Sequence, residues 1–447
     1  MSLARVATPC RSSLLRTAAA SPVSAAIARR GYATQKVDNI PLAAYDNGSP
    51  TSAVTVAIRA GARYETSPGI ANGLKHFLFK SNAKRSALRL VRESELYGGL
   101  LSTSLSKEHL FLTAEFLRGD EDFFVEILGD VLSSSKFATH EFNEEVLPAS
   151  RAEYEQVAGN PSILGFDVLT QTAYRQRGLG ASLYASPSSP ISASGVSSYA
   201  KGAFARDNIA VFGTGITQDK LSSLVSKSFS GVPGTSTGAL NAGPSTYFGG
   251  EQRVDFAPHH ADSPKAHNGH FFLAFEGGSS PEFAVLRALL GGESSVKWSK
   301  GLSPLAQAAA KVNGGHAEAF NLTFSDSGLI GAYITAPTAT LPALAKEVAG
   351  AFKSAASSVS SEDLQRAIAK AKFDLTSQME TKEHGRAFVG AALLNKGSVV
   401  MSDEVVSQLE GVKAQGLSAA VDKMLKGKAT TVAIGDVRQL PYADDLL

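Results

Sequence analysis

The chain has 447 residues, with 43 Lys and Arg against 41 Asp and Glu, a formal charge of +2, and a single cysteine, Cys10. That balance offers no basic block for nucleic acid, one thiol cannot build a disulfide framework or a thiolate metal site, and no apolar run reaches the ~18 residues that span a bilayer. The length exceeds what one hydrophobic core usually supports, so two domains are expected.

Residues 1–32 carry Arg5, Arg11, Arg16, Arg29 and Arg30 among Ser and Ala, with no acid before Asp38. This is the composition of a mitochondrial transit peptide. Written as a helix, Leu3, Val6, Leu14, Leu15 and Ile27 share an apolar side, and Arg30-Gly31-Tyr32 reads as a matrix-protease cleavage site. Removing the segment leaves 415 residues, no cysteine, and a charge of −3 from 38 basic and 41 acidic residues. The basic character therefore belongs to the leader.

Beyond it, Val54 to Gly61 alternates as a strand, Gly69 to Lys80 reads as a helix, and Gly98-Gly99 precedes strands running through Leu110 to Phe116. Helices follow at Asp122 to Leu132 and Glu141 to Ala158, then a strand at Asn208 to Gly213. Ser230 to Gly250, rich in Gly, Ser, Thr and Pro, reads as an extended, flexible linker. The pattern then repeats: a strand at Phe271 to Gly277, Gly314-Gly315, strands through Phe320 to Ile334, helices at Leu341 to Ala355 and Ser361 to Met379, and a strand at Thr430 to Gly435. Gly61 to Gly277 and Gly98 to Gly314 are both separated by 216 positions. A constant offset in a matching order indicates duplication: two α+β halves, residues 33–229 and 251–447, joined by the linker 230–250.

The helix from Gly69 holds the most informative group. Asn72 and His76 stand one turn apart with Lys75 beside them, so their side chains can converge. An inverted zinc motif, His-x-x-Glu-His, uses that spacing for two imidazole ligands and a carboxylate base. Only His76 remains of the three. Asn72 offers a neutral amide, and Lys75 an ammonium that cannot take a proton at neutral pH. About 4 Å from a dication, that ammonium adds repulsion on the order of 8 kcal/mol at an effective dielectric of 20, against ~10–16 kcal/mol for binding of a structural zinc. The expected catalytic, cofactor and metal assignments are therefore none, with Asn72, Lys75 and His76 as degenerate zinc-box positions.

With its flanks Gly69-Ile70-Ala71 and Phe79-Lys80 and the later Gly98-Gly99, this box resembles the pitrilysin and mitochondrial processing peptidase superfamily, and the similarity covers the whole mature chain. The resemblance implies two sandwich halves of the processing-peptidase type. It also implies a third zinc ligand on the long helix, best matched by Glu153, with Glu155 as the alternative. Phe166-Asp167-Val168-Leu169, Ala173-Tyr174, Ser295-Val296-Lys297, Phe324 to Gly328 and the ending Pro441 to Leu447 look most like the core-protein members, the structural subunits of the mitochondrial cytochrome bc1 complex. That resemblance implies an inactive peptidase homologue that supports ubiquinol to cytochrome c electron transfer without a redox centre. Its partners would be core protein 1 and the other subunits of a dimeric complex, peripheral on the matrix side of the inner membrane. An apolar cavity between the halves, or facing the partner, is also implied. The alternative is the non-catalytic, presequence-binding subunit of the matrix processing peptidase. That protein carries a long glycine-rich loop, whereas Leu290 to Leu302 has only scattered glycines.

Other candidates have plainer readings. His140-Glu141-Phe142-Asn143-Glu144 imitates a metal box but reads as an acidic helix start. His259, His260, His267 and His270 read as surface histidines lacking a carboxylate shell. Ser325-Asp326-Ser327 before Gly328 reads as a turn, and Trp298 as core. No heme, iron-sulfur or dinucleotide signature is present, so no cofactor is expected.

Overall fold

The computed structural model describes residues 32–447 except 237–239, 241–242, 257–267, 293–298, 300, 358, 400–401 and 447. The leader up to Gly31, with Cys10, lies outside the described residues, as do His259, His260, His267, Ser295-Val296-Lys297 and Trp298.

Alternating and continuous apolar runs form two sheets. The first contains β1 (Ala33–Val37), β2 (Ile40–Tyr45), β3 (Thr51–Ile58), β4 (Leu100–Leu105), β5 (Leu110–Leu117) and β6 (Ile209–Thr214), in the order β1-β2-β6-β3-β5-β4. The second contains β7 (Gly250–Asp255), β8 (Asn268–Gly277), β9 (His316–Thr323), β10 (Gly328–Pro337) and β11 (Thr430–Gly435), in the order β7-β11-β8-β10-β9. Strand for strand, β2-β6-β3-β5-β4 is the second sheet again, down to the parallel pairing of β2 with β6 and of β7 with β11. Among the described residues, only the outer strand β1 has no counterpart. The duplication read from the 216-residue offset is thus a duplication of topology.

Both sheets are mixed, and their central strands are buried on both faces, as β3 shows from Ser52 to Ile58. On one face Val54, Val56 and Ile58 pack against helices of their own half, including Leu74 and Phe77 of α1 (Ile70–Phe77) and Phe124 and Leu128 of α3 (Glu121–Ser134), which follows α2 (Ala87–Leu96). The other face is covered from the opposite half. After α4 (Leu147–Ala158), α5 (Pro161–Ala173) lays Val168, Leu169 and Ala173 on Phe272, Ala274, Val432 and Ile434 of the second sheet. In return the second half, whose helices include α6 (Pro281–Leu290), α7 (Leu341–Ser357) and α8 (Ser361–Glu380), sends α9 (Lys382–Lys396). Its Val389 and Leu393 lie on Ala57, Phe111 and Phe212 of the first sheet. Glycine permits both approaches: a Cβ at Gly165 would lie 2.1 Å from the Phe272 ring, and one at Gly390 would lie 2.8 Å from Phe111 and 2.9 Å from Ala57.

Two expected elements differ in detail. The helix read as Glu141 to Ala158 begins with a turn at Thr139–Glu141 and a π-helical turn at Phe142–Val146 before α4. Pro148 supplies the reason, because it has no N–H to give the carbonyl four residues back, and the wider turn absorbs the missing bond. The described residues of the linker form no helix or strand up to Gly249 and are tied down at its end: Tyr247 Oη donates to the Lys428 carbonyl at 2.8 Å, and Phe248 N–H to the Ala173 carbonyl at 2.9 Å. Among the described residues, a cleft of ≈ 1290 Å³ lies within the second half, around Arg287, Gly350, Arg366 and Phe373. A smaller one of ≈ 490 Å³ sits at β9, where Phe166 reaches over from the first half.

Candidate functional site

Helix α1 is fixed by Ile70, Ala71, Leu74 and Phe77 on its buried side, and this holds Asn72, Lys75 and His76 toward α4. All three converge on Glu153. Lys75 Nζ donates to Glu153 Oε1 at 2.5 Å, His76 Nε2 meets Oε2 at 2.8 Å, and Asn72 Nδ2 donates to Oε2 at 2.9 Å. An ionised carboxylate only accepts, so the His76 Nε2 facing it carries the proton. Asn72, buried, is committed on every side: Nδ2 also donates to the Leu183 carbonyl at 3.1 Å, and Oδ1 accepts from Ser150 Oγ at 2.6 Å. Burial alone would raise the Glu153 carboxyl, but the bonds from His76, Lys75 and Asn72, and the Lys75 charge, outweigh it and bring it down to about 2. Glu155, the other candidate, is exposed on the far side of α4.

This donor set does not fit zinc. The amide oxygen is taken, the imidazole nitrogen is a donor, and the carboxylate is already neutralised by an ammonium at contact distance. Glu153 is held ionised by the bonds from His76, Lys75 and Asn72 and by the Lys75 charge, which makes it a weak base toward water. What the arrangement does is hold α1 against α4, with Lys75 supplying the positive charge. The second half uses an analogous device, Arg287 of α6 paired with Asp374 of α8 at 3.3 Å.

Two further charged groups escaped the sequence reading. Lys107, in the β4–β5 turn, donates to Asp167 Oδ1 at 2.8 Å and to the Ala181 carbonyl at 2.7 Å. Asp167 also accepts from Ser182 Oγ, Gln171 Nε2 and Leu183 N–H. Burial pushes this carboxyl up, yet the Lys107 charge and the donors hold it below the usual range. Leu183 thus touches Asp167 through its N–H and Asn72 through its carbonyl, which links the pair to the box. The second group crosses between halves. Arg63 grips Asp326 with both terminal nitrogens, at 2.7 and 2.6 Å, and donates to Glu108 Oε1 at 2.8 Å. Glu108 Oε2 accepts Ser325 N–H at 2.9 Å, while Ser245 N–H of the linker donates to Asp326 at 2.9 Å. Ser325-Asp326-Ser327 is therefore a turn, as read, but one whose side chains close the seam. A sequence signal existed for Asp167, a charge inside the apolar run Phe166 to Leu169. Lys107 and Glu108 occupy what reads as an ordinary polar turn.

The remaining candidates part company. His140 and Glu144 are exposed, and Glu141 is buried as an acceptor for Ser81 N–H at 3.1 Å and Ser81 Oγ at 2.5 Å, so no metal box forms there. His270 is not a surface histidine: it is half-buried in β8, its Nδ1 2.7 Å from Tyr333 Oη, and burial lowers its pKa to about 4. The period-2 placement of His270 beside Phe272 already set it on an inward face.

Two family models match the chain: Insulinase (Peptidase family M16) over residues 42–186 and Peptidase M16 inactive domain over residues 190–371. The mitochondrial cytochrome b-c1 complex subunit 2 of Cryptococcus neoformans is 45% identical over 439 residues, covering 97% of this chain and 98% of that protein. The protein of the same name from Neurospora crassa is 41% identical, covering 96% and 92%. A protein of Arabidopsis thaliana named as a probable mitochondrial-processing peptidase subunit beta is 27% identical, covering 88% and 75%.

Proposed function

From a chain that belongs to the M16 peptidase family, and within it to the cytochrome b-c1 subunit 2 proteins, we propose a structural core subunit of the ubiquinol to cytochrome c oxidoreductase. The observation that carries this reading is the similarity to that subunit from end to end. The cluster on Glu153 supports its non-catalytic half: Asn72, Lys75, His76 and Glu153 are the positions of a lost zinc site converted into a helix clamp. No helix among the described residues is long and apolar enough to cross a membrane, which suits a subunit held at the inner membrane by its partners. The subunit faces the matrix after loss of residues 1–32, pairs with core protein 1, and stands twice in a dimeric complex. The presequence-binding alternative draws less support, since the relative named as a processing peptidase is 27% identical against 45%.

The test is the native assembly. Solubilised inner membrane resolved on a native gel is expected to show this chain comigrating with heme b, and loss of the chain to deplete that band. Recovery of the chain only in a soluble matrix heterodimer with a zinc-containing peptidase subunit overturns the proposal in favour of the alternative.

A further inference from the structure

The sequence contains four Asn-Gly pairs: Asn47-Gly48, Asn72-Gly73, Asn268-Gly269 and Asn313-Gly314. Such pairs share a chemical liability. Glycine has no Cβ to shield its nitrogen or to restrict the approach of that nitrogen to the preceding side-chain amide. Whether the liability is expressed depends on what holds the two reacting groups.

The fold restrains three of the four. Gly48 N–H donates to Asp46 Oδ1 at 2.9 Å, and Asn47 Oδ1 accepts Ser49 N–H at 3.0 Å. Asn72 has both amide atoms bonded, and Gly73 N–H donates within α1 to the Gly69 carbonyl at 2.9 Å. Asn268 and Gly269 are paired in β8 opposite Pro337 and Ala336, and a Cβ at Gly269 would already lie 2.5 Å from Leu440. Asn313 differs from all three in its hydrogen bonding. Like Asn47 it is exposed, in the turn between the helix Pro304–Ala310 and β9. Among the described residues neither its amide nor the Gly314 N–H has a hydrogen-bond partner, the turn being closed instead by Gly315 N–H on the Val312 carbonyl at 3.1 Å. Gly314 has φ +73°, a conformation open to glycine at no cost.

We infer that Asn313 is a site of spontaneous modification, deamidated through a succinimide. The Gly314 nitrogen attacks Asn313 Cγ and loses its proton, the side-chain nitrogen leaves as ammonia, and a five-membered imide closes. Water then opens either carbonyl and gives aspartate or isoaspartate; nothing is oxidised or reduced. The isoaspartyl product carries one more backbone methylene just before β9 and a free α-carboxylate, the group recognised by isoaspartyl-directed methyl transfer.

The experiment ages the purified complex in mildly alkaline buffer and follows all four sites by peptide mapping and isoaspartyl methyl incorporation. The Asn313 peptide is expected to gain the amide-to-acid mass first, roughly ten-fold or more ahead of the others, as modest local protection at those sites requires. Asn313→Gln abolishes the signal, and in urea the four wild-type peptides convert at similar rates. Earlier conversion at Asn47, Asn72 or Asn268 in the folded protein overturns the inference. So does an unmodified Asn313 under conditions where the urea-unfolded chain reacts at all four.

Discussion

Glu153→Gln removes the charge on which Lys75, His76 and Asn72 converge while keeping the side chain's shape. The glutamine retains one acceptor oxygen but turns an amide toward a donor, so it leaves the Lys75 ammonium without a counter-charge. Two measures of the cost agree. A carboxyl brought from 4.5 to about 2 corresponds to about 3 kcal/mol at ~1.36 kcal/mol per pKa unit. Hydrogen bonds to a charged group are worth ~1.5–3 kcal/mol each when fully buried, and here the side chain keeps 25% exposure, so the net falls to about 2–3 kcal/mol. Amide hydrogen exchange in α1 and α4 is the assay, because it reads local opening without assuming that both halves unfold together. Protection there is expected to drop roughly 30- to 150-fold, since ~1.4 kcal/mol is ten-fold. Glu155→Gln, exposed on the same helix, is expected to stay within about 0.5 kcal/mol of wild type. The sign with pH follows from a lowered folded-state pKa: the contribution is complete above about 4.5 and disappears as pH falls from there toward about 2. A Glu153→Gln effect no larger than that of Glu155→Gln, or one that persists unchanged at the acid end, refutes the clamp.

Zinc titration of Asn72→His is expected to show no stoichiometric binding by calorimetry, because Lys75 still occupies Glu153; Asn72→His with Lys75→Glu is expected to bind one equivalent, and tight binding by the single variant contradicts the account. Gly165→Val forces a side chain into Phe272 and is expected to cost about 1–3 kcal/mol or more, read as a lowered thermal midpoint. Gly350→Ala in α7, where an added Cβ meets nothing within 4 Å, is expected to raise stability by about 0.5–1 kcal/mol. Arg63→Met leaves Glu108 and Asp326 facing each other without their cation and is expected to cost about 3–5 kcal/mol, with faster proteolysis in the linker near Ser245. Adding Asp326→Asn is expected to restore part of the loss, and strict additivity in that double-mutant cycle rules out the Arg63–Asp326 coupling across the halves.

Much of the fold was legible because it is local. Periods of two and 3.6 residues located β3, β5, α3 and α8 within a few residues, and the constant offset exposed the repeat before any strand was paired. The box was legible for the same reason, since positions 72, 75 and 76 must share one side of a helix whatever surrounds them. Local reasoning failed where a residue's partner is distant. For His270 the period of two beside Phe272 gave the inward face, but its partner Tyr333 lies 63 positions away and no local pattern names it. The π-helical turn before Pro148 was missed because a proline announces an interruption without specifying how the chain accommodates it.

The sequence by itself determined that two similar halves exist and that the first sets Asn72, Lys75 and His76 on one side of a helix. Only the tertiary structure decided what those three side chains meet. Lys75 and Glu153 stand 78 positions apart and Arg63 and Asp326 stand 263 apart, and no periodicity specifies such pairings. They depend on how two sheets, each roofed by a helix from the other half, bring opposite charges into places that water largely leaves. In those places an unpaired charge is costly, so the partner that arrives determines whether the site binds a metal or clamps two helices.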